Sequence, residues 1–384
     1  MEPFQVLIIS FWNPTSEFPQ QGIFIQDQAT AICSQRSNVV FLQVNILNSK
    51  SIFLKREIEE SDWQNGKRIV LNLSTRLWKL WYVNPWILER VVFRSLKKCK
   101  ITIKPAIIHS NVIFPCGIVG YLLSKRLGAK TIISEHWSKS ERLLHHPLFK
   151  RIALKSYRKG SAIICVSQFL SDKIKKNTQH QNILIVPNIV DTDIFHYKPE
   201  LKNAADEDTI KFLCVANWRL PKRLDLIVES LSGFAAKSGR PVELKVAGRG
   251  PQIEIMKKKN LPVNLKIDWL GYIDKRSIAE LLQKTDYFLH TSDTETFSIV
   301  TAEALATGTP VIVSNTGALP ELVNSSNGLL AENNTVSWIK AIAEIGSYQL
   351  DREAIALQNR ERFSAKNIGH SIIDQYDKAY GFHM

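Results

Sequence analysis

Short apolar runs separated by polar, helix-like stretches recur along the whole chain. In the first half, residues 6–10, 39–44, 107–109, 131–134 and 162–166 are runs rich in valine and isoleucine. A half-exposed strand alternates apolar and polar residues, so unbroken runs predict strands of a parallel sheet covered on both faces. A shorter run at 183–187 follows. The pattern resumes at 210–216, 242–247, 265–270, 287–290 and 310–314, with helix-like segments such as 224–236 and 276–284 between them. The polar, acidic segment 198–209 separates the two series. The chain of 384 residues is too long for one compact core and suits two domains. The reading is α/β: two Rossmann-like doubly wound domains, residues 1–190 and 191–369, facing a cleft.

One stretch, residues 289–323, concentrates the candidate chemistry. An apolar run ends at His290-Thr291-Ser292, residues 299–306 read as a helix closed by Gly308, and a second buried strand follows. Glu295 falls on the loop at the carboxyl end of the first strand. Glu303 falls about a turn and a half into the helix. The N–H groups of Phe297, Ser298 and Ile299 at the helix start would make a seat for an anion. An anion seat flanked by two carboxylates suits a ligand with phosphate and hydroxyl-rich parts, such as a sugar nucleotide.

Charge divides the chain. The net charge is +14, yet residues 1–190 carry 27 lysines and arginines against 11 acids, and residues 191–384 carry 23 against 25. The first half therefore meets something anionic. Residues 76–100 hold seven cations, one acid and five aromatics; residues 139–159 hold seven cations and one acid. Tryptophan and tyrosine interleaved with lysine and arginine suit the interface of an anionic membrane. The alternative is a pair of solvated helices whose aromatics enter the core. No nucleic-acid fold signature accompanies the charge, so no nucleic-acid partner is expected. No apolar run approaches the ~20 residues that span a bilayer, and the first residues lack a basic leader. Five cysteines without a CxxC pair predict a reducing compartment and no structural zinc. The expected location is cytoplasmic, peripheral at the inner face of the membrane.

The segment from Glu295 to Glu303, continued by ALATGTPVI, closely resembles the E-x7-E region of retaining family-four glycosyltransferases. So do VPNIVDTDIF (186–195), VAGRGP (246–251) and LGYID (270–274), in the family's order. PQQGIFIQDQA and EHWS extend the resemblance more weakly over the first half. The resemblance implies a GT-B fold, a nucleotide-diphosphate-sugar donor bound by residues 191–369, and retention of anomeric configuration without a metal or other cofactor. It also implies a helix over 370–384 packing back on the first domain, whose role would be to hold the acceptor and face the membrane.

Family logic places Glu295 at the donor sugar, Glu303 on the ribose hydroxyls and Lys222 on the diphosphate. Asn217 stands where the family carries arginine, and Arg219 or Arg223 would supply that guanidinium. His136 would lie near the reaction centre, able to donate a hydrogen bond or carry a proton near neutrality. Gly248 and Gly250 would let backbone pass close to the nucleotide, and Gly22 close to a ligand at its helix mouth; tight turns explain all three as well. The expected activity is sugar transfer from a nucleotide-diphosphate sugar to an anionic lipid-linked or glycan acceptor, in polysaccharide or lipopolysaccharide synthesis. A nucleotide-sugar epimerase and a non-catalytic binding module are the other readings.

Overall fold

Residues 4–15, 20–199 and 208–381 are described by the computed structural model. Most of the boundary segment 198–209 lies outside the described residues, as do the last three residues of the helix expected at 370–384. The chain forms two compact units, Met1–Ile189 with Ala365–Met384, and Val190–Ser364.

In the first unit, eight strands form one sheet: β1 (Val6–Ser10), β2 (Val39–Asn48), β3 (Lys55–Trp63), β4 (Gly66–Thr75), β5 (Ile107–Asn111), β6 (Lys130–Glu135), β7 (Ala162–Cys165) and β8 (Ile183–Ile185). Their order is β3-β4-β2-β1-β5-β6-β7-β8. Among the described residues only the β3–β4 pair of this sheet is antiparallel. Along β1, Val6 and Ile8 enter a cluster with Ile25 and Ile32 of the helix Ile23–Gln35. Leu7 and Ile9 point the other way, toward Leu88 and Val92 of the helix Pro85–Leu96. Both faces are dry, which is why this strand reads as an unbroken apolar run.

The helix Ala365–Tyr380 packs on this unit through Ile368, Ile372 and Tyr376, in the cluster that holds Val6 and Ile8. The Tyr376 hydroxyl lies 2.6 Å from His109 Nδ1, and His109 Nε2 lies 2.7 Å from the Ser134 hydroxyl. Burial pushes His109 down to about 3, so a neutral imidazole joins the helix to β5 and β6.

The hairpin β3–β4 corrects the sequence reading, which placed no strand between residues 45 and 106. The sequence of β3, KREIEESDW, has few apolar residues, and most of its side chains face water. It is an edge strand, and charge there discourages pairing with another chain. That protective charge is what hid it.

The second unit has β9 (Ile210–Asn217), β10 (Val242–Arg249), β11 (Leu265–Gly271), β12 (Tyr287–His290), β13 (Val311–Ser314) and β14 (Gly328–Ala331). All are parallel, in the order β11-β10-β9-β12-β13-β14. Beginning at β9 the chain steps outward to β11, then returns to the other side of β9 for β12. The connections leaving β9 and β12 therefore run to opposite sides and leave a crevice at the strands' carboxyl ends. Strand β14 also escaped the sequence reading; only four residues, it borders the sheet beside β13.

Replacing Tyr376 by phenylalanine removes the partner of a fully buried imidazole nitrogen and keeps the ring. A loss of roughly 1–3 kcal/mol is expected, read as a lower urea midpoint with the secondary structure intact.

Candidate active site in the second unit

The loops leaving β9 and β12 meet at the switch point. Lys222 and Ser292 form an isolated antiparallel bridge. Asp293 N–H donates to the Pro221 carbonyl at 2.9 Å, Arg223 N–H to the Thr291 carbonyl at 3.3 Å, and the Thr291 hydroxyl to the Arg223 carbonyl at 2.7 Å. Gln252 holds the first loop from behind, with its amide donating to the Lys222 carbonyl at 2.6 Å and its oxygen accepting from Leu224 N–H at 2.9 Å. The second loop is braced from the far side. Ser292 N–H donates to the Ser314 hydroxyl at 3.0 Å, that hydroxyl donates to Asn333 at 2.6 Å, and the Asn333 amide returns to the Ser292 carbonyl at 3.0 Å.

This clamp brings the Lys222 ammonium against the Glu295 carboxylate, 73 positions later in the chain. His290, the last residue of β12, completes the cluster. Its Nε2 lies 3.1 Å from Lys222 Nζ and 2.8 Å from Glu295 Oε1. Burial, and after it the adjacent ammonium, keeps His290 well below its ordinary value, so the ring is neutral. Its Nε2 can donate to the carboxylate or accept from the ammonium, one at a time. Burial also pushes the Lys222 ammonium down to about 7. No motif in the sequence marks His290. Its signal was a histidine closing an otherwise apolar strand just before the loop that carries a candidate carboxylate.

The two candidate arginines differ. Arg223 makes a fork to Asp225, at 2.8 Å for the shortest contact, and reaches Asp293 at 3.3 Å, which raises its already high value further. Its charge is occupied in tying the loops together. Arg219 is exposed, and its guanidinium donates to the Asn217 side chain at 3.0 Å. Asn217 therefore orients the neighbouring guanidinium.

The glycines answer mainly to the protein's own backbone. A Cβ on Gly248 would lie 1.8 Å from the Ala216 carbonyl oxygen, and one on Gly250 would lie 2.2 Å from that of Trp218. The ends of β9 and β10 approach too closely for any side chain there. Gly22 is closed off in the same way by the Trp12 carbonyl at 2.0 Å. Gly317, which the sequence reading passed over, has φ of 59°, and a Cβ on it would lie 2.3 Å from the Glu295 carbonyl oxygen. Ala318 N–H donates to that same oxygen at 3.0 Å.

The helix Ile299–Ala306 follows, and its leading N–H groups have no acceptor within their own helix. Ser298 caps it with φ of 75°, an uncommon conformation for a non-glycine residue, its hydroxyl 2.8 Å from that of Thr301. Phe297 and Glu303 are buried.

His136 and Gly22 belong to the first unit. His136 follows β6 and packs on Phe24, two residues after Gly22, with ring centroids 4.5 Å apart. Burial pushes His136 down to about 3, against a hydrogen bond with Asn188 that raises it. Near neutral pH the imidazole is therefore neutral, the form in which one ring nitrogen donates a hydrogen bond and the other accepts. The adjacent Glu135 is wholly buried. It accepts from the N–H groups of Ile113, His136 and Trp137 and from the Tyr157 hydroxyl, which makes it a brace for the loops after β5 and β6.

Two doubly wound units of this kind define the GT-B class of sugar-transferring enzymes, and solved structures agree. Sucrose-phosphate synthase from Thermosynechococcus elongatus has a TM-score of 0.74 at 17% identity, covering 98% of this chain and 99% of its own. HepE from Anabaena, solved with UDP and glucose, has a TM-score of 0.68 at 16% identity, covering 98% and 100%. Two family profiles match in succession: Glycosyltransferase Family 4 over residues 54–194 and Glycosyl transferases group 1 over residues 199–365. The chain belongs to the family-four glycosyltransferases. An uncharacterized glycosyltransferase of Methanocaldococcus jannaschii is 28% identical over 265 residues, 68% of this chain and 70% of that protein. The GDP-mannose-dependent alpha-(1-6)-phosphatidylinositol dimannoside mannosyltransferase of Mycobacterium tuberculosis is 27% identical over 217 residues, 55% of this chain and 56% of that protein.

Gly317 offers a test of how the Glu295 loop is held. Gly271 has a similar φ of 66° with nothing within 4 Å of its virtual Cβ, so Gly271→Ala costs only the backbone strain. Gly317→Ala adds a collision with the Glu295 backbone, and its expected loss exceeds that of Gly271→Ala by roughly 1–3 kcal/mol. Urea unfolding of the two variants measures the difference.

Proposed function

We propose that the protein transfers a sugar from a nucleotide-diphosphate sugar, with retention of anomeric configuration, to a lipid-linked or glycan acceptor of cell-surface synthesis. The single observation that carries this reading is the Lys222–His290–Glu295 cluster at the sheet's switch point. A neighbour solved with UDP and glucose, and relatives named as a mannosyltransferase and as an N-acetyl-alpha-D-glucosaminyl L-malate synthase, support it. In this reading the second unit binds the donor, and the basic first unit takes the acceptor and contacts an anionic membrane surface from the cytoplasmic side.

When the bond from the anomeric carbon to the diphosphate breaks, its electron pair leaves on a phosphate oxygen. The acceptor hydroxyl forms the new bond on the same face, and its proton departs with the diphosphate. Positive charge fixed beside the leaving oxygens lowers the barrier most where water is scarce. Lys222 and Arg219 supply that charge, and the start of the helix Ile299–Ala306 supplies N–H donors; no metal or other cofactor is invoked. Glu303 takes the ribose hydroxyls. A phosphate reaching Lys222 competes with Glu295 for the ammonium, which leaves the carboxylate to the donor sugar. His290 keeps lysine and carboxylate in register during that exchange.

A panel of nucleotide-sugars screened for slow hydrolysis identifies the donor. Glu295→Gln is expected to slow its turnover roughly 100-fold or more; unchanged turnover ends the catalytic assignment. The lysine has a separate signature. At pH 8, above its value of about 7, Lys222 is mostly neutral, and a bound diphosphate restores its proton. Calorimetry of UDP or GDP in buffers of different ionisation enthalpy is expected to show proton uptake at pH 8 and little at pH 6. In Lys222→Arg the uptake disappears, because the guanidinium is always charged.

A further inference from the structure

A group of large apolar side chains is exposed on a part of the first unit that neither basic stretch of the sequence fully contains. Phe53 is 86% exposed and Ile52 61%, on the loop between β2 and β3. That loop is tied to the chain leaving β4: Arg76 N–H donates to the Ser51 carbonyl at 2.6 Å and the Thr75 hydroxyl to the Ile52 carbonyl at 3.0 Å. The chain then enters the short helix Trp78–Tyr82 with Leu77 and Leu80 exposed, the latter by 64%. Val83 and Trp86, at the turn into the helix Pro85–Leu96, are also exposed.

Cations accompany these side chains. Lys50, Arg76 and Lys79 are exposed among them. On the helix Pro85–Leu96, Trp86, Arg90 and Arg94 recur every four residues and are all exposed, so they share one face. The rise of a helix sets Arg90 about 6 Å and Arg94 about 12 Å behind the tryptophan. An apolar tip with cations at those depths matches the passage from acyl chains through anionic headgroups. The other aromatics of residues 76–100 do not contribute: Trp78, Trp81, Tyr82 and Phe93 are partly covered, and Trp81 and Phe93 pack on the core. The second basic stretch exposes one large apolar side chain, Leu148 at 74%, where this element exposes a group of them. Its helix Lys150–Lys159 turns Ala153, Ser156 and Tyr157 inward and exposes chiefly charge.

We infer that the loop carrying Ile52 and Phe53, together with residues 77–87, is an insertion element that docks on an anionic lipid bilayer, with Arg90 and Arg94 at headgroup depth. The inference rests on the proposed membrane contact of the first unit and places that contact on named residues. It assigns penetration to this element and leaves residues 139–159 a long-range electrostatic share. A polar partner protein would match the cations and leave the apolar tip unexplained; a bilayer answers both.

The test is co-sedimentation of the full chain with vesicles of phosphatidylcholine, alone and mixed with phosphatidylglycerol, together with Trp86 fluorescence against bilayer-embedded quenchers. Wild-type protein is expected to bind the mixed vesicles and to show quenching. Phe53→Ser combined with Leu80→Ser is expected to bind roughly tenfold more weakly while hydrolysing donor at the wild-type rate. Arg90→Gln with Arg94→Gln is expected to flatten the dependence on phosphatidylglycerol. If the wild type binds and the apolar double variant binds equally, the placement is wrong while membrane contact stands. If the wild type binds no vesicle, both fail. A concentration-dependent dimer lost in the apolar variant would make the patch a self-interface and overturn the inference.

Discussion

The clamp between the loops after β9 and β12 is the constraint on which the candidate site depends. Strand order alone drives those loops apart, because β9 feeds one side of the sheet and β12 the other. The Lys222–Ser292 bridge, the hydrogen bonds flanking it and the Arg223 contacts to Asp225 and Asp293 close the gap at one point. Only then do an ammonium and a carboxylate 73 residues apart share a largely buried position. Such a pair is weak support for stability, since desolvating two charges offsets most of their attraction, yet removing one partner strands the other. Its presence at a crevice is better explained by chemistry than by folding.

Backbone strain gathers around the same point. Ser298 and Gly317 both have positive φ on either side of the helix and strand that follow Glu295, and Gly248 and Gly250 let β10 end against β9. Positions of this kind persist when the surroundings over-determine them, and here the surroundings are the brace of Ser314, Asn333 and Gln252. Groups held in place before a ligand arrives need no reorganisation while charge develops, which is the condition for effective electrostatic stabilisation.

Much of this architecture was legible in the sequence because both sheets are buried on both faces, and burial writes itself as apolar runs. The helix Ile299–Ala306 was read with its observed limits, since Ser298 and Gly308 mark its ends. Strands β3, β4 and β14 were not legible. The first is charged because it is an edge, the second alternates in burial rather than running unbroken, and the third is only four residues long. The family resemblance assigned Lys222 and Glu295 to different parts of one donor; their direct meeting is a structural finding that nothing in their spacing dictates. His290 stayed hidden because a histidine ending a strand looks like any loop polar residue until its two partners converge on one nitrogen. The neutrality of His136 was equally invisible, since it comes from burial by Phe24 and the loops that Glu135 holds.

The basic balance of the first half shows how composition and structure divide the work. A charge count carries the expectation of an anionic partner and leaves its place open, because lysines and arginines on solvated helices count the same as those beside an apolar tip. Exposure separates them. The helix Lys150–Lys159 has cations outside and apolar groups inside, the ordinary arrangement of a domain helix. The segment 49–94 reverses it, placing phenylalanine, isoleucine and leucine in water with arginines behind. Solvated apolar side chains in such a group are unfavourable by the same effect that built the two cores. That cost is relieved only where something apolar covers them.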